Sequence, residues 1–186
     1  SFRKEQFTGI VSVKDENIVA DFNGNIDLNK VKPVSKFKLN VSKAKLAMLN
    51  LFNKEDLLTE LSFQSEIDLE GADIDDISGI AIVRDLKYKD MKLNHSLEQF
   101  SLTAGNNRGK RKIELVSSFV DGKLEGDYRI ADLEETFENI YHLFFDSTST
   151  PSETSPQVFD FSAQFKNTKP ITEVLLPELS IDEGAS

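Results

Sequence analysis

The chain has no cysteine and no tryptophan, and among its 186 residues it has only two histidines, two methionines and five prolines. Without cysteine there is no disulfide, no zinc-thiolate site and no cysteine nucleophile, although the compartment stays open. The histidines, His95 and His142, belong to a predicted strand or turn and to a predicted helix, and neither has a sequence-local partner set that defines a catalytic site. There is no H-E-x-x-H, no G-x-S-x-G elbow, no Walker loop and no dinucleotide fingerprint. No enzyme, cofactor or metal is therefore expected. No run approaches the roughly 18 apolar residues of a membrane span, and Ser1-Phe2-Arg3-Lys4-Glu5 lacks the apolar core of a signal peptide. The chain reads either as a cytosolic protein or as a piece cut from a longer one.

What is present is acid and phenylalanine. The formal net charge is −10 and the sequence pI about 4.7, so attachment to nucleic acid or to an anionic surface is not the general mode of action. Hydrophobic residues make up 39% and charged residues 29%, the range of folded soluble domains, and the aromatics are fourteen Phe and three Tyr. Two charged clusters read first as solvated surface. Arg108, Lys110, Arg111 and Lys112 lie beside the turn residues Gly105, Asn106, Asn107 and Gly109, a hairpin tip at which a phosphate or headgroup contact is the sharper alternative. Glu66, Asp68 and Glu70 alternate on the wet face of a strand, and Asp73, Asp75 and Asp76 follow as a turn without the ligand spacing of an EF-hand loop.

The dominant period is two. Ile18, Ala20, Phe22, Gly24, Ile26 and Leu28 alternate with polar residues, as in a strand with one dry face. The alternation recurs at Phe37, Leu39 and Val41; at Leu61, Phe63, Ile67 and Leu69; at Ile80, Ile82, Leu86 and Tyr88; and at Leu97, Phe100, Leu102 and Ala104. Ile113, Leu115, Ser117 and Phe119 run into Asp121-Gly122, which suits a type I′ hairpin, and Leu124, Gly126, Tyr128 and Ile130 run out. Asp132, with Glu135 three residues on, predicts a capped helix carrying Leu133, Phe137, Ile140, Tyr141 and Phe144 on one stripe. Residues 146–157 read as a mobile loop. Phe159, Phe161, Ala163 and Phe165 alternate again, and Pro170–Leu176 reads as a short helix.

Three segments share a template of large apolar, polar, small, polar, apolar, charged, apolar. They are Phe22-Asn23-Gly24-Asn25-Ile26-Asp27-Leu28, Phe63-Gln64-Ser65-Glu66-Ile67-Asp68-Leu69 and Leu124-Glu125-Gly126-Asp127-Tyr128-Arg129-Ile130. Their irregular spacing suggests a loosely repeated sheet that needs caps or partners at its ends, and both termini, Phe7–Val13 and Leu179–Ser186, look like interrupted strand patterns.

The run from Thr8 to Leu51, with Gly9-Ile10-Val11-Ser12-Val13, Ala20 through Leu28, Ala44-Lys45-Leu46 and Leu49-Asn50-Leu51, resembles the upstream part of TamB proteins of the AsmA-like group. Ile74 through Ile82, Leu86-Lys87-Tyr88 and Gly122 through Tyr128 continue the resemblance in the family's order. It implies a periplasmic segment of an inner-membrane-anchored envelope protein, shaped as an open, twisted β half-pipe with an apolar lining. The family is implicated in phospholipid transfer to the outer membrane and in outer-membrane protein assembly with an Omp85-type, TamA-like barrel. This sequence departs from a complete member in lacking the anchor and the barrel-contacting domain.

The expectation is thus a mainly β fold with one or two helices, an open groove built from irregular repeats. Residues 1–145 form the repeats ending in a helix, 146–157 a loop, and 158–186 a further strand, short helix and the start of another repeat. The groove is expected to be lined by Phe22, Ile26, Leu28, Phe63, Ile67, Leu69, Ile80, Ile82, Leu124, Tyr128 and Ile130 and to hold phospholipid tails, with open sheet edges that allow self-association. One rival is a scaffold that accepts a partner's strand by β-augmentation. A second is a hydrolase or carbohydrate-binding sandwich, which needs a concave polar site or a metal.

Overall fold

In the computed structural model, residues 2–3, 5–51, 59–90, 94–136, 139 and 156–167 are described. They form one antiparallel sheet of ten strands in simple sequence order: β1 (Phe2–Arg3), β2 (Gln6–Lys14), β3 (Ile18–Asp27), β4 (Val34–Lys45), β5 (Glu60–Glu70), β6 (Ser78–Lys89), β7 (Asn94–Asn107), β8 (Lys110–Ser117), β9 (Val120–Asp127) and β10 (Val158–Phe165). Each strand pairs with its sequence neighbours, and β1 and β10 do not meet, so the sheet is open. A 3-10 turn, Ile130–Asp132, leads into helical residues 133–136. The expected helix thus begins near Asp132, while Phe137, Ile140, Tyr141 and Phe144 of its stripe lie outside the described residues. Residues 146–155 of the expected loop, the helix over 170–176 and the tail from Leu179 lie outside them too.

Register assigns every side chain to a face. One row runs Gly9, Gly24, Phe37, Ile67, Ala81, Leu102, Leu115, Gly122 and Ala163 across nine strands without a single charge. Its neighbour runs Phe7, Ile26, Ser35, Leu69, Gly79, Ala104, Ile113, Leu124 and Phe161. These rows define the apolar face. Between them, on the opposite face, runs Thr8, Asn25, Lys36, Asp68, Ile80, Thr103, Glu114, Lys123 and Ser162.

Ile80 and Ile82 are therefore not groove residues, contrary to the alternation of the sequence. Ile82 stands opposite Glu66 and Ser101, and Ile80 opposite Asp68 and Thr103. The cause is a bulge. The β5–β6 register slips between Ser62 and Gln64, and on β6 Asp85 takes φ 52°, a left-handed conformation that Asp tolerates better than most residues. Val83 and Leu86 consequently share the apolar face three positions apart, with Ala81 in the place assigned to its isoleucine neighbours. The same three-residue step separates Leu97 from Phe100 in β7, and Val41 from Ala44 across a bulge in β4.

A second correction concerns Asp121-Gly122, which lies inside β9 rather than at a turn. The hairpin turns three residues earlier, at Ser118-Phe119. The buried Ser117 hydroxyl organises it by donating to Val120 O (2.6 Å) and accepting from the amides of Val120 (2.9 Å) and Phe119 (3.3 Å). Asp121 accepts from the Ser117 amide and from Lys166 Nζ (2.7 Å), so this carboxylate staples the turn to the residue after β10. The basic cluster does sit at a hairpin tip: Arg108 (φ 52°) and Gly109 (φ 85°) form the two-residue connection between β7 and β8.

Candidate functional site

Among the described residues the sheet has no second layer. At one end, residues 46–51 fold over the apolar face, with Leu46 N donating to Thr59 O (3.0 Å). There Ala20, Val41, Ala44 and Leu46 form a small buried core, against which Ile18, Leu39, Leu61, Phe63 and Tyr88 pack. Ala104, Leu124 and Tyr128 are buried as well, and elsewhere the floor is open among the described residues. Phe22, Phe37, Ile67 and Leu69 are half-buried, Leu102 is 39% exposed and Phe161 59% exposed. At roughly 4.8 Å per strand, the rows form an apolar strip about 38 Å long.

Glycines draw the strands together on this face. A Cβ built on Gly24 would overlap Lys36 O and Phe37 Cβ, and one on Gly126 would lie 2.8 Å from Phe159 Cβ, whereas paired Cβ atoms are ordinarily about 4.5–5.5 Å apart. The sheet thus bends toward its apolar side at these pairs, and a large side chain opposite each glycine fills the space it leaves. Over the Gly9–Gly24 pair the rings of Phe7, Phe22 and Phe37 follow one another, with centroids 5.5 and 5.1 Å apart. The small position of the sequence template is this bend in β3 and β9, while in β5 it is Ser65, buried between Leu39 and Val83.

Of the residues expected to line the groove, Phe22, Ile26, Phe63, Ile67, Leu69 and Leu124 share the apolar face. Tyr128 follows β9 on the same phase and is buried, its ring edge-on to Phe159 at 5.9 Å. Leu28 is 51% exposed just beyond β3, Ile130 sits in the 3-10 turn, and Ile80 and Ile82 lie on the polar side. The sequence reading missed Ala81 and the rim described next.

At the rim, the loop after β5 reaches past β6 and β7 to β8 and the exit of β9. Asp75 Oδ1 accepts from the Ile130 amide (2.5 Å) and pairs with Arg111 Nη1 (3.3 Å), and Arg111 Nη2 donates to Ile74 O (2.7 Å). The guanidinium lies 5.8 Å from the centre of the Tyr128 ring. Burial pushes the Tyr128 phenol above its ordinary pKa, and the Arg111 charge partly offsets this. Between these groups and Lys32 opens a cavity of about 420 Å³ lined by Lys32, Asp75, Asp76, Ile77, Ser78, Gly105, Asn106, Gly109, Arg111, Gly126, Asp127 and Tyr128.

The polar face carries ion pairs. Lys36–Asp68 (2.5 Å) bridges β4 and β5, and Glu66 is shared by Lys38 (3.1 Å) and Arg84 (3.7 Å). The hydrogen bond from Lys38, then its charge and that of Arg84, hold the Glu66 carboxyl below its ordinary value, and Asp68 raises Lys36 in the same way. A depression of about 470 Å³ across β2–β5 is edged by these pairs and by Thr8, Asn23 and Asn25 of the polar face. In the acidic turn that follows β5, Asp76 holds Lys32 (2.8 Å), and Asp73 accepts from the amides of Asp75 and Asp76. No group of three His, Cys, Asp or Glu able to hold a metal occurs among the described residues, and no helix among them is long and apolar enough to cross a membrane.

Comparison with family models, with curated proteins and with solved structures found no match to this chain.

Proposed function

We propose that this chain is a segment of a TamB-type bacterial envelope protein, and that its apolar face shields phospholipid acyl chains on their way between the inner and outer membranes. The observation that carries the reading is the strip that no described residue covers: nine strands contribute uncharged rows to a face that stays half-exposed for most of its length. An exposed apolar surface of this extent calls for an occupant. Acyl chains suit it because each methylene removed from water contributes about 0.8 kcal/mol with no polar contact required. No catalytic residue takes part. In this reading the segment works in the periplasm, and contact with an Omp85-type barrel belongs to the full-length protein.

A second reading, a scaffold for outer-membrane protein assembly by strand addition, is favoured by one feature. Residues 9–14 of β2 have β3 as their sole ladder partner among the described residues, and they carry no charge before Lys14. Mass spectrometry of lipid retained by the purified chain tests both. Two-tailed lipid bound in stoichiometric amounts is expected for the conduit. Binding of an extended β peptide by lipid-free protein would favour the scaffold and reject the conduit.

A further inference from the structure

We propose that the loop between β5 and β6, residues 71–77, is a strap that sets how far the β6–β9 half of the sheet curls, and that one carboxylate, Asp75, is its latch. The strap acts on the shape of the trough, whatever occupies the apolar face. A single layer is soft in one direction. Ladder hydrogen bonds hold each strand about 4.8 Å from its neighbour, but bending the sheet changes the spacing of strands that are next but one rather than of neighbours. Curl is therefore set by contacts that skip a strand. From β3 to β6 such contacts are apolar: Ile18 of β3, Leu39 of β4, Leu61 and Phe63 of β5 and Tyr88 of β6 all pack on the cluster that includes Leu46.

From β6 to β9 the tie is polar. β5 and β6 share no ladder with β8 or β9. Asp75 of the connecting loop nevertheless pairs with Arg111 of β8 and with Arg129 beyond β9 (3.7 Å), and it accepts from the Ile130 amide, while Arg111 donates back to Ile74 O. The side chains of Asp75 and Arg111 are only 23% and 15% exposed, so salt and water screen this pair less than the open pairs of the polar face. The loop brings a fixed shape to these partners. Its base is tied to the β3–β4 connection by Gly71 N donating to Pro33 O (3.0 Å) and by Lys32 on Asp76, and Asp73 accepts from the amides of Asp75 and Asp76. Its neck is closed so tightly that a Cβ on Gly71 would lie 2.8 Å from Ile77 Cα. A stiff loop anchored on both sides acts as a chord across the curl. Removing the Asp75 carboxylate frees β8 and the exit of β9 together, while Lys32 and Asp76 keep the loop on the β4–β5 side.

The test is a distance between β6 and β10 in the full chain. Ile80→Cys and Ser162→Cys place two spin labels in one row of the polar face, four ladder steps or about 19 Å of sheet apart, and the chain has no other cysteine to label. Double electron–electron resonance should give one narrow distribution in this background. Adding Asp75→Ala should broaden it and shorten its mean, because the sheet bends toward its apolar side and flattening draws together labels on the outer face. Lys36→Gln, which breaks an ion pair between the neighbouring strands β4 and β5, should leave the distribution as it was. An unchanged distribution in Asp75→Ala, with a native β spectrum by circular dichroism, overturns the strap. Equal broadening in Lys36→Gln overturns it too, because the loosening would then be general. If Asp75→Ala loses that spectrum, Arg129→Gln, which removes one exposed partner of the latch, decides: a smaller shift in the same direction supports the strap, and no shift overturns it.

Discussion

Ile67 and Ile82 look equivalent in the sequence, each an isoleucine in an alternating strand, yet register sends them to opposite faces of the sheet. Ile67 stands between Phe37 and Ala81 in the uncharged row, whereas Ile82 stands between Glu66 and Ser101. Substituting each by Asp therefore separates the apolar strip from the sheet that carries it. Burying an isoleucine fully is worth about 1.5–3 kcal/mol, and a side chain already half-buried would contribute roughly half of that to an acyl chain laid over it. A carboxylate beneath that chain adds a desolvation cost of at least about 2 kcal/mol. The sum is about 3 kcal/mol, so Ile67→Asp should weaken lipid retention by more than about a hundredfold. Ile82→Asp adds a carboxylate beside Glu66, within reach of the Lys38 and Arg84 charges, and should cost less than about 1 kcal/mol of stability with lipid retention unchanged.

The assay is lipid quantified by mass spectrometry after gel filtration from vesicles, with urea unfolding of both variants run in parallel. Equal loss of lipid in the two variants, with both folded, would refute the face assignment. So would a larger loss in Ile82→Asp.

Gly24→Ala should lower the urea midpoint by an amount equivalent to about 1–3 kcal/mol, because the added methyl meets backbone atoms of Lys36 and Phe37 that cannot rotate away, while Gly105→Ala, with nothing within 4 Å of the new carbon, should be close to neutral. Acid should weaken the fold. Glu66, Asp76, Asp121 and Glu125 are all held below their ordinary values by lysine hydrogen bonds, so their contribution is present above the unfolded-state values of 4.5 for Glu and 3.8 for Asp and is lost as pH falls through the lower folded values. Thermal scans should therefore show a midpoint that is flat above about pH 5 and declines below about pH 4, less steeply at high salt, because these groups are exposed and screened.

Most strands were legible because a sheet wet on one side writes period two directly into the chain, as in Ile18 to Ile26 and Leu61 to Leu69. Phase was less legible. In β6 the sequence offers two alternating sets, Gly79-Ala81-Val83 and Ile80-Ile82, and hydrophobicity favours the isoleucines. The bulge at Asp85 decides for the other set, and nothing local distinguishes that Asp from any polar residue of the wet face. The Asp121-Gly122 turn failed for a related reason. The dipeptide suits a hairpin, but the Ser117 hydroxyl makes three hydrogen bonds within the turn at 118–119, and Gly122 pairs with Leu115 inside the ladder. The rim was invisible because Asp75 sits in the loop after β5, far in sequence from Arg111 of β8 and from Ile130 beyond β9, and no local pattern links that loop to the β8–β9 ladder.

That curl depends on the phase slips as much as on the glycines. A long strand bent around a trough must keep its dry residues inside on both sides of the bend, and a bulge twists a strand locally but also turns the next residue to the other face. The chain compensates by shifting its apolar residues by one position past the slip, as Val41 and Ala44, Val83 and Leu86, and Leu97 and Phe100 each do. Three neighbouring regions of sequence break period two near one level of the sheet, where β5 passes unbroken through Leu61, Phe63 and Ser65. Such agreement between separate segments is what a continuous lining demands. A closed sandwich could achieve its burial by adding a second layer, but a single layer can only hold its dry side together strand by strand, which ties these irregularities to the open face itself.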